Sequence, residues 1–383
     1  MTLTTASPFT GRFDQFLEGG LRGLDISPQE HDMVVRRYQG FASVLDATWA
    51  TTHSANKVFP QGSFALGTVV RNVKRGNNLD IDSVAVRGIA KTSISQQDLK
   101  AEVGVAARSF AAAKDDGSPR VTEDSRCWTI EWPTMHMDVL PAVPDPECDE
   151  GGVLITDRTV RTWLASNPIG YKDWFHDLMR QEYIEKRAEF EAKELDVDEV
   201  PQWQIRTTLQ RTVQALKRHR DVYFKSDAGW APSSVVITTL AARAYRGGGD
   251  LNDVLREVTS GMPNYLSCIS NQWVLPNPAQ ADENFAEYWS NADADRFFQW
   301  HADVTRTFGG LSSKSGLHAS LSEMERAFEW SFAEAASDVG RRLHQAGAAG
   351  SLRVENAGRL SVVTGVAASA PVRPHTFAGG NGA

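Results

Sequence analysis

The sequence predicts an α+β fold: a mixed sheet with flanking helices, followed by an all-α C-terminal lobe. Three observations carry that reading. Leu79-Asp80-Ile81-Asp82-Ser83-Val84-Ala85-Val86 alternates like a strand, and two further strand-like pieces run from Arg126 to Trp132 and from Met135 to Leu140. Helical patterns at 27–49 and 96–113 surround these strands. From about residue 160 onward the pattern is almost wholly helical.

The first helix is announced by Ser27-Pro28-Gln29-Glu30, which has capping-box spacing with Pro at the first helical position. Val34, Tyr38, Phe41, Leu45 and Trp49 then recur along one face. In Phe59-Pro60-Gln61-Gly62-Ser63-Phe64-Ala65-Leu66-Gly67-Thr68 the Gly and Ser read as a tight turn opening another helix. A loop at 71–78 carries Arg71, Lys74 and Arg75, a solvated cluster that could also touch triphosphate oxygens. Beyond 160, helical material is expected at Trp163 to Leu164, Trp174 to Leu178, a charged stretch 182–199, and Trp203 to about Lys225. Pro232-Ser233-Ser234 caps a helix through Tyr245, which Gly247-Gly248-Gly249 stops; later windows cover 282–308 and 319–346. No internal repeat is present.

At about 150 residues per domain, 383 residues suggest two or three. The expected division is a catalytic lobe at 1–160 with a long N-terminal helix, a helical lobe at 161–365, and a flexible tail at 366–383. Forty Lys and Arg against 48 Asp and Glu leave a formal charge of −8, which argues against a general nucleic-acid coater and makes any polyanion site local. The N-terminus lacks a basic start followed by an apolar core, and no apolar run approaches the roughly 18 residues of a membrane span. A cytoplasmic protein with no membrane partner is expected. Cys127, Cys148 and Cys268 form no C-x-x-C pair and read as ordinary thiols.

Chemistry concentrates in the strands. Asp80 and Asp82, two apart, project from one sheet face, and Asp138 between Met137 and Val139 brings a third carboxylate there if its strand pairs alongside. Crowded carboxylates titrate upward unless a cation neutralises them, and hard oxygen ligands favour Mg²⁺ or Mn²⁺ over zinc. Two solvated strand-end aspartates would carry the same D-x-D spacing. The Gly62-Ser63 turn changes the balance, because free N–H groups at a helix start with a Ser hydroxyl form a phosphate cradle. His136 shares the strand face of Asp138, but metal activation of a hydroxyl leaves it no necessary role. Arg206, Arg211, Lys217, Arg218, Arg220 and Lys225 oppose only Asp221 along one helix, as on a solvated basic face.

A Gly-Ser helix start, then an hDhDh strand, then an hDh strand resembles the nucleotidyltransferase superfamily typified by DNA polymerase beta. Gln61 to Thr68, Asp80-Ile81-Asp82 and Met137-Asp138-Val139-Leu140-Pro141-Ala142 are similar to the bacterial CD-NTases. These SMODS-type cyclic-oligonucleotide synthases of CBASS anti-phage defence are relatives of animal cyclic GMP-AMP synthase. The likeness continues through Trp163 to Pro168, Leu216-Lys217-Arg218-His219-Arg220-Asp221, Pro232 to Leu240, and Asn277-Pro278 with Glu283-Asn284-Phe285, about residues 10–345.

The resemblance implies a polymerase beta-like core in which Asp80, Asp82 and Asp138 are catalytic and hold two Mg²⁺, Mn²⁺ substituting. It makes Ser63 a phosphate contact on a turn shaped by Gln61 and Gly62, with Lys217 and Ser234 reaching the triphosphate from the helical lobe. ATP and GTP are the implied substrates, and a purine cyclic dinucleotide such as cyclic GMP-AMP the implied product. Val235 stands where the animal enzyme has an aromatic, so base stacking must come from elsewhere. No His and Cys cluster matches the animal DNA-binding insertion, so direct activation by double-stranded DNA is not expected. The Gly-rich end suits attachment of Ala383 by an E1/E2-like conjugating partner. Alternatives are a cyclic trinucleotide synthase, a template-independent RNA or protein nucleotidyltransferase, and a nucleotide-sensing scaffold.

Overall fold

The computed structural model describes residues 8–49, 56–73, 79–113, 117–148, 151–159, 162–193, 202–310, 317–354 and 359–362. Lys74, Arg75, the 366–383 tail and Ala383 lie outside them. The first half runs α1 (Pro8–Arg22), α2 (Pro28–Trp49), β1 (Lys57–Gln61), α3 (Gly62–Leu66), β2 (Leu79–Val86), α4 (Gln96–Ala112), β3 (Arg120–Glu123), β4 (Trp128–Trp132), β5 (Met135–Pro144), β6 (Val153–Ile155) and β7 (Leu164–Ser166). There follow α5 (Pro168–Asp177), α6 (Arg180–Lys193), α7 (Thr208–Tyr223), α8 (Ser234–Ala244) and α9 (Leu251–Gly261). The chain continues with β8 (Ser267–Ile269), β9 (Gln272–Val274), β10 (Pro276–Asn277), β11 (Gln280–Asn284), α10 (Asn291–Gly309), α11 (Leu317–Phe328), α12 (Trp330–Ala348), β12 (Leu352–Val354) and β13 (Leu360–Val362).

The mixed sheet has strand order β1-β2-β5-β4-β3, with β6 on β5 and β7 on β6. Only β2 and β5 pair in parallel; the other neighbours are antiparallel. Alternation sorts the two faces. Leu79, Ile81, Met135, Met137 and Val139 share a core with Val34, Phe41 and Leu45 of α2 and Leu99, Val103 and Ala107 of α4. Val84, Val86 and Ala142 point the other way, into a small cluster with Val153 and Ile155. Asp80, Asp82 and Asp138 have the parity of this second face, away from α2 and α4.

The capping box at Ser27 forms as expected: Glu30 N–H donates to Ser27 Oγ at 3.2 Å, and Ser27 N–H to Glu30 Oε2 at 2.6 Å. Several short strands differ from the sequence expectation. Residues 164–166 form β7 rather than helix, and the 282–308 window divides into β11 and a helix starting at Asn291 behind a Ser290–Asp293 capping box. The C-terminal half is mainly helical but carries the pairs β8–β9, β10–β11 and β12–β13. Strands of two to five residues are too short to display a period, which is why the sequence conceals them.

The helical core draws on α1 as well as on the C-terminal helices: Phe13, Leu17 and Leu21 pack with residues of α7 to α12. Helix α7 runs through its middle, and every residue from Thr208 to His219 is buried. The expected solvated basic face is therefore absent along this stretch. Arg211 instead pairs with Asp25, and Arg218 donates to Ser331 Oγ at 2.8 Å. Among the described residues, no helix is long and apolar enough to cross a membrane.

Candidate active site

The acidic group is set by the β2–β5 register, which places Asp82 opposite Asp138 and Asp80 opposite His136. The Asp82 carboxyl is pushed up to about 7, first by burial and then by repulsion from Asp80 and Asp138. Asp80 shifts the same way through burial and Asp138, opposed by His136 and Lys217. Asp138 Oδ1 accepts from Thr129 Oγ1 of the neighbouring strand β4 at 2.5 Å. His136 lies 3.4 Å from Glu131.

Carboxylate oxygens, repelling one another beneath a partly buried surface, form a donor set suited to a hard divalent cation. Among the described residues no three acidic, His or Cys side chains are gathered closely enough to hold a metal ion as they stand. The residues fit such an ion in chemistry and in shared face.

Beside the carboxylates, α3 is only five residues long and starts directly from β1. Gln61, its first flanking residue, is the β-register partner of Asp82. Gly62 has φ +58°, and a Cβ there would stand 2.5 Å from Asp82 Oδ2. Only glycine both adopts this left-handed backbone and lets the turn approach the carboxylate so closely. Ser63 follows, its carbonyl accepting from Thr68 N–H at 2.8 Å, and Gly67 at φ +67° ends the helix.

The opposite wall comes from α7 and α8. Lys217 is buried, donates to Thr68 O at 3.1 Å, and is pushed down to about 8 by burial and by Arg220, against the pull of Asp221, Asp82 and Asp80. Ser234 opens α8, where Arg220 donates to its Oγ at 3.2 Å and to Pro232 O at 2.9 Å.

Between the walls lies a cavity of about 1050 Å³. Gln61, Gly62 and Ser63 line it on one side, Asp80 and Asp82 at its floor, Lys217 and Ser234 on the other. Asp138 stands next to Asp82 in register without being among the lining residues. Val235 lines the wall with an aliphatic side chain.

The cavity also contains residues to which sequence reasoning gave no site role. Arg220 lines it, as does Arg126, paired with Asp157 at 2.7 Å, and so does Glu283, which accepts from Asn277 Nδ2 at 2.7 Å and whose carboxyl is raised by burial. The available signal was the motif Asn277-Pro278 with Glu283-Asn284-Phe285, which was legible as a segment but assigned to no chemistry. Arg71, by contrast, turns from the cavity to bind Asp25 O at 2.7 Å and Glu30 Oε2 at 2.6 Å.

Residues 10–178 match the family of the Second Messenger Oligonucleotide or Dinucleotide Synthetase domain. The chain is 27% identical over 237 residues to a c-di-GMP synthase of Roseivirga ehrenbergii, an alignment covering 61% of each protein, so it spans less than two thirds of that relative. It is 23% identical over 306 residues to the cyclic dinucleotide synthase CdnG of Bradyrhizobium diazoefficiens, covering 74% of this chain and 71% of that one. Its fold is similar to the solved CD-NTase CdnG of B. diazoefficiens in complex with GTP, with TM-score 0.69 at 19% identity, over 87% of this chain and 100% of that one. Similarity extends to the Vibrio cholerae DncV cyclic AMP-GMP synthase, with TM-score 0.57 at 13% identity over 83% and 96% of the two chains.

Proposed function

We propose that the chain is a bacterial CD-NTase, a nucleotidyltransferase that joins purine nucleoside triphosphates, ATP and GTP, into a cyclic dinucleotide of the cyclic GMP-AMP kind. One observation carries the reading: a single cavity sets Asp80 and Asp82 between the Ser63 turn and the Lys217–Ser234 wall. That arrangement suits a triphosphate whose α-phosphate lies over the carboxylates. Divalent cations, which the family generally uses and here Mg²⁺, would lower the pKa of the acceptor hydroxyl and neutralise departing pyrophosphate.

In this mechanism Asp80, Asp82 and Asp138 would hold the cations, and Ser63 with the N–H groups beside Gly62 would grip phosphate oxygens. Lys217 and Ser234 orient the triphosphate from the helical lobe. A ribose hydroxyl of the acceptor attacks the donor α-phosphate and pyrophosphate leaves. The linear intermediate then turns, its free ribose hydroxyl attacks its remaining α-phosphate and a second pyrophosphate leaves, closing the ring in the same cavity of about 1050 Å³.

A purine product is supported by the Roseivirga relative, named a c-di-GMP synthase, and by the CdnG structure with GTP. Placement in cytoplasmic anti-phage signalling, the lobes 1–160 and 161–365, and E1/E2-like conjugation at Ala383 belong to the same proposal; Ala383 lies outside the described residues.

Purified protein incubated with four NTPs and Mg²⁺, with phosphatase-resistant products identified by mass spectrometry, tests the proposal. A purine cyclic dinucleotide is expected. Linear tails would instead favour RNA nucleotidyl transfer, and nucleotide binding without pyrophosphate release a nucleotide-sensing scaffold.

A further inference from the structure

Helix α7 presents three side chains at i, i+4 and i+7 to the backbone that follows the Ser63 turn. Gln210 Nε2 donates to Leu66 O at 2.9 Å, Gln214 Nε2 to Val69 O at 2.9 Å, and Lys217 Nζ to Thr68 O at 3.1 Å. The receiving segment joins α3 to β2, so these bonds tie the two walls of the cavity together. Gly67 makes the approach feasible, because a Cβ there would stand 2.5 Å from Gln210 Nε2.

Gln210 also bonds back to the start of its own helix. Its Oε1 accepts from Thr207 N–H at 2.9 Å and closes the capping box of α7, while Gln210 N–H donates back to Thr207 Oγ1 at 3.3 Å. One buried carboxamide thus locks the start of α7 with its oxygen and the end of α3 with its nitrogen.

We propose that Gln210 is a positioning residue for the triphosphate: it sets the distance between Ser63 on α3 and Lys217 on α7. The proposal rests on the assignment of Ser63 and Lys217 to the two sides of the bound triphosphate. Lys217 exchanges Thr68 O for phosphate oxygens when a nucleotide enters, and Gln210 with Gln214 keeps the walls in register once that third bond is released.

Gln210→Glu retains an acceptor for Thr207 N–H and replaces the donor to Leu66 O with a second acceptor, so it opens the wall-to-wall bond while keeping the cap. Gly67→Ala attacks the same bond from the other side. Thr207→Ala weakens the cap and leaves the Leu66 bond in place. In steady-state pyrophosphate release by the full chain with ATP, GTP and Mg²⁺, Gln210→Glu and Gly67→Ala are expected to raise KM by about tenfold. Thr207→Ala is expected to lower Tm with KM within about twofold of the parent, since a lost cap weakens the helix but not the bond. Titration with GTP reads the same variants without turnover. A parent protein that binds GTP but releases no pyrophosphate would sink the synthase reading while the comparison still stands. If Gln210→Glu fails to fold, Gly67→Ala carries the test. Unchanged KM and GTP affinity in the folded variants, or an equal loss in Thr207→Ala at matched Tm, would overturn the proposal.

Discussion

Asp82 and Asp138 are register partners on adjacent parallel strands, on the sheet face that α2 and α4 leave uncovered. With Asp80 two residues away, their mutual repulsion adds to burial in raising the Asp82 carboxyl to about 7. Such crowding is costly in the free protein and is relieved by a bound cation. Asp80→Asn and Asp82→Asn are expected to abolish Mg²⁺-dependent pyrophosphate release with an unchanged circular dichroism spectrum. Turnover at the parent rate in either variant would remove the catalytic assignment.

Gly62 meets the same carboxylate from the turn. Gly62→Ala would force a β-carbon to 2.5 Å from Asp82 Oδ2 at a positive φ, so a loss of about 1–3 kcal/mol is expected together with loss of activity. Gly229→Ala is the comparison, because a Cβ there has no heavy atom within 4 Å. Thermal melts and product assays on the pair distinguish the site-specific effect from a general cost of adding a methyl group.

Asp14 predicts a pH dependence away from the site. It is 2% exposed where α1 meets α9, and its Oδ1 accepts from Asn252 N–H at 2.9 Å. Burial, against that hydrogen bond but with help from Asp250, Glu18 and Asp253, raises it from 3.8 to about 7. The folded chain therefore holds a proton that the unfolded chain releases, and this contribution to stability falls as pH rises from about 4 through about 7. Asp14→Asn is expected to gain about 1–3 kcal/mol over the parent at pH 8 and to lose that advantage near pH 4. Denaturant titrations at the two pH values measure it, and a difference independent of pH would contradict the assignment.

Arg211 and Asp25 join α7 to the linker before α2 through two bonds of 2.8 Å, and Gln214 Nε2 donates to Asp25 Oδ1 at 2.9 Å. Arg211→Met leaves the Asp25 carboxylate without its main partner and is expected to cost about 3 kcal/mol. Arg211→Met combined with Asp25→Leu should recover much of that loss, because no unpaired, partly buried carboxylate then remains. Urea midpoints of the two variants decide it.

Much of the site was legible because its elements are local. The alternation of Leu79 to Val86 put Asp80 and Asp82 on one face, and Ser27 with Glu30 marked the start of α2. The pairing of β5 beside β2 was needed before Asp138 could join them, and the sequence stated it only as a condition. Strand β7 and the short pairs of the C-terminal half escaped because two to five residues cannot show a period. Arg211 and Arg218 were misread as solvated because a basic spacing does not reveal that neighbouring helices cover α7 on every side there.

By itself the sequence determined the α+β class, the acidic strand, the glycine turn and the capped helices, since each depends on residues close along the chain. Tertiary structure alone decided that α1 packs with the C-terminal helices, that Lys217 reaches Thr68, and that Gln210 bridges the two walls of the cavity. Local spacing sets which side of its own element a residue faces. What stands opposite depends on contacts between segments up to hundreds of residues apart, and those are settled only when the whole core packs.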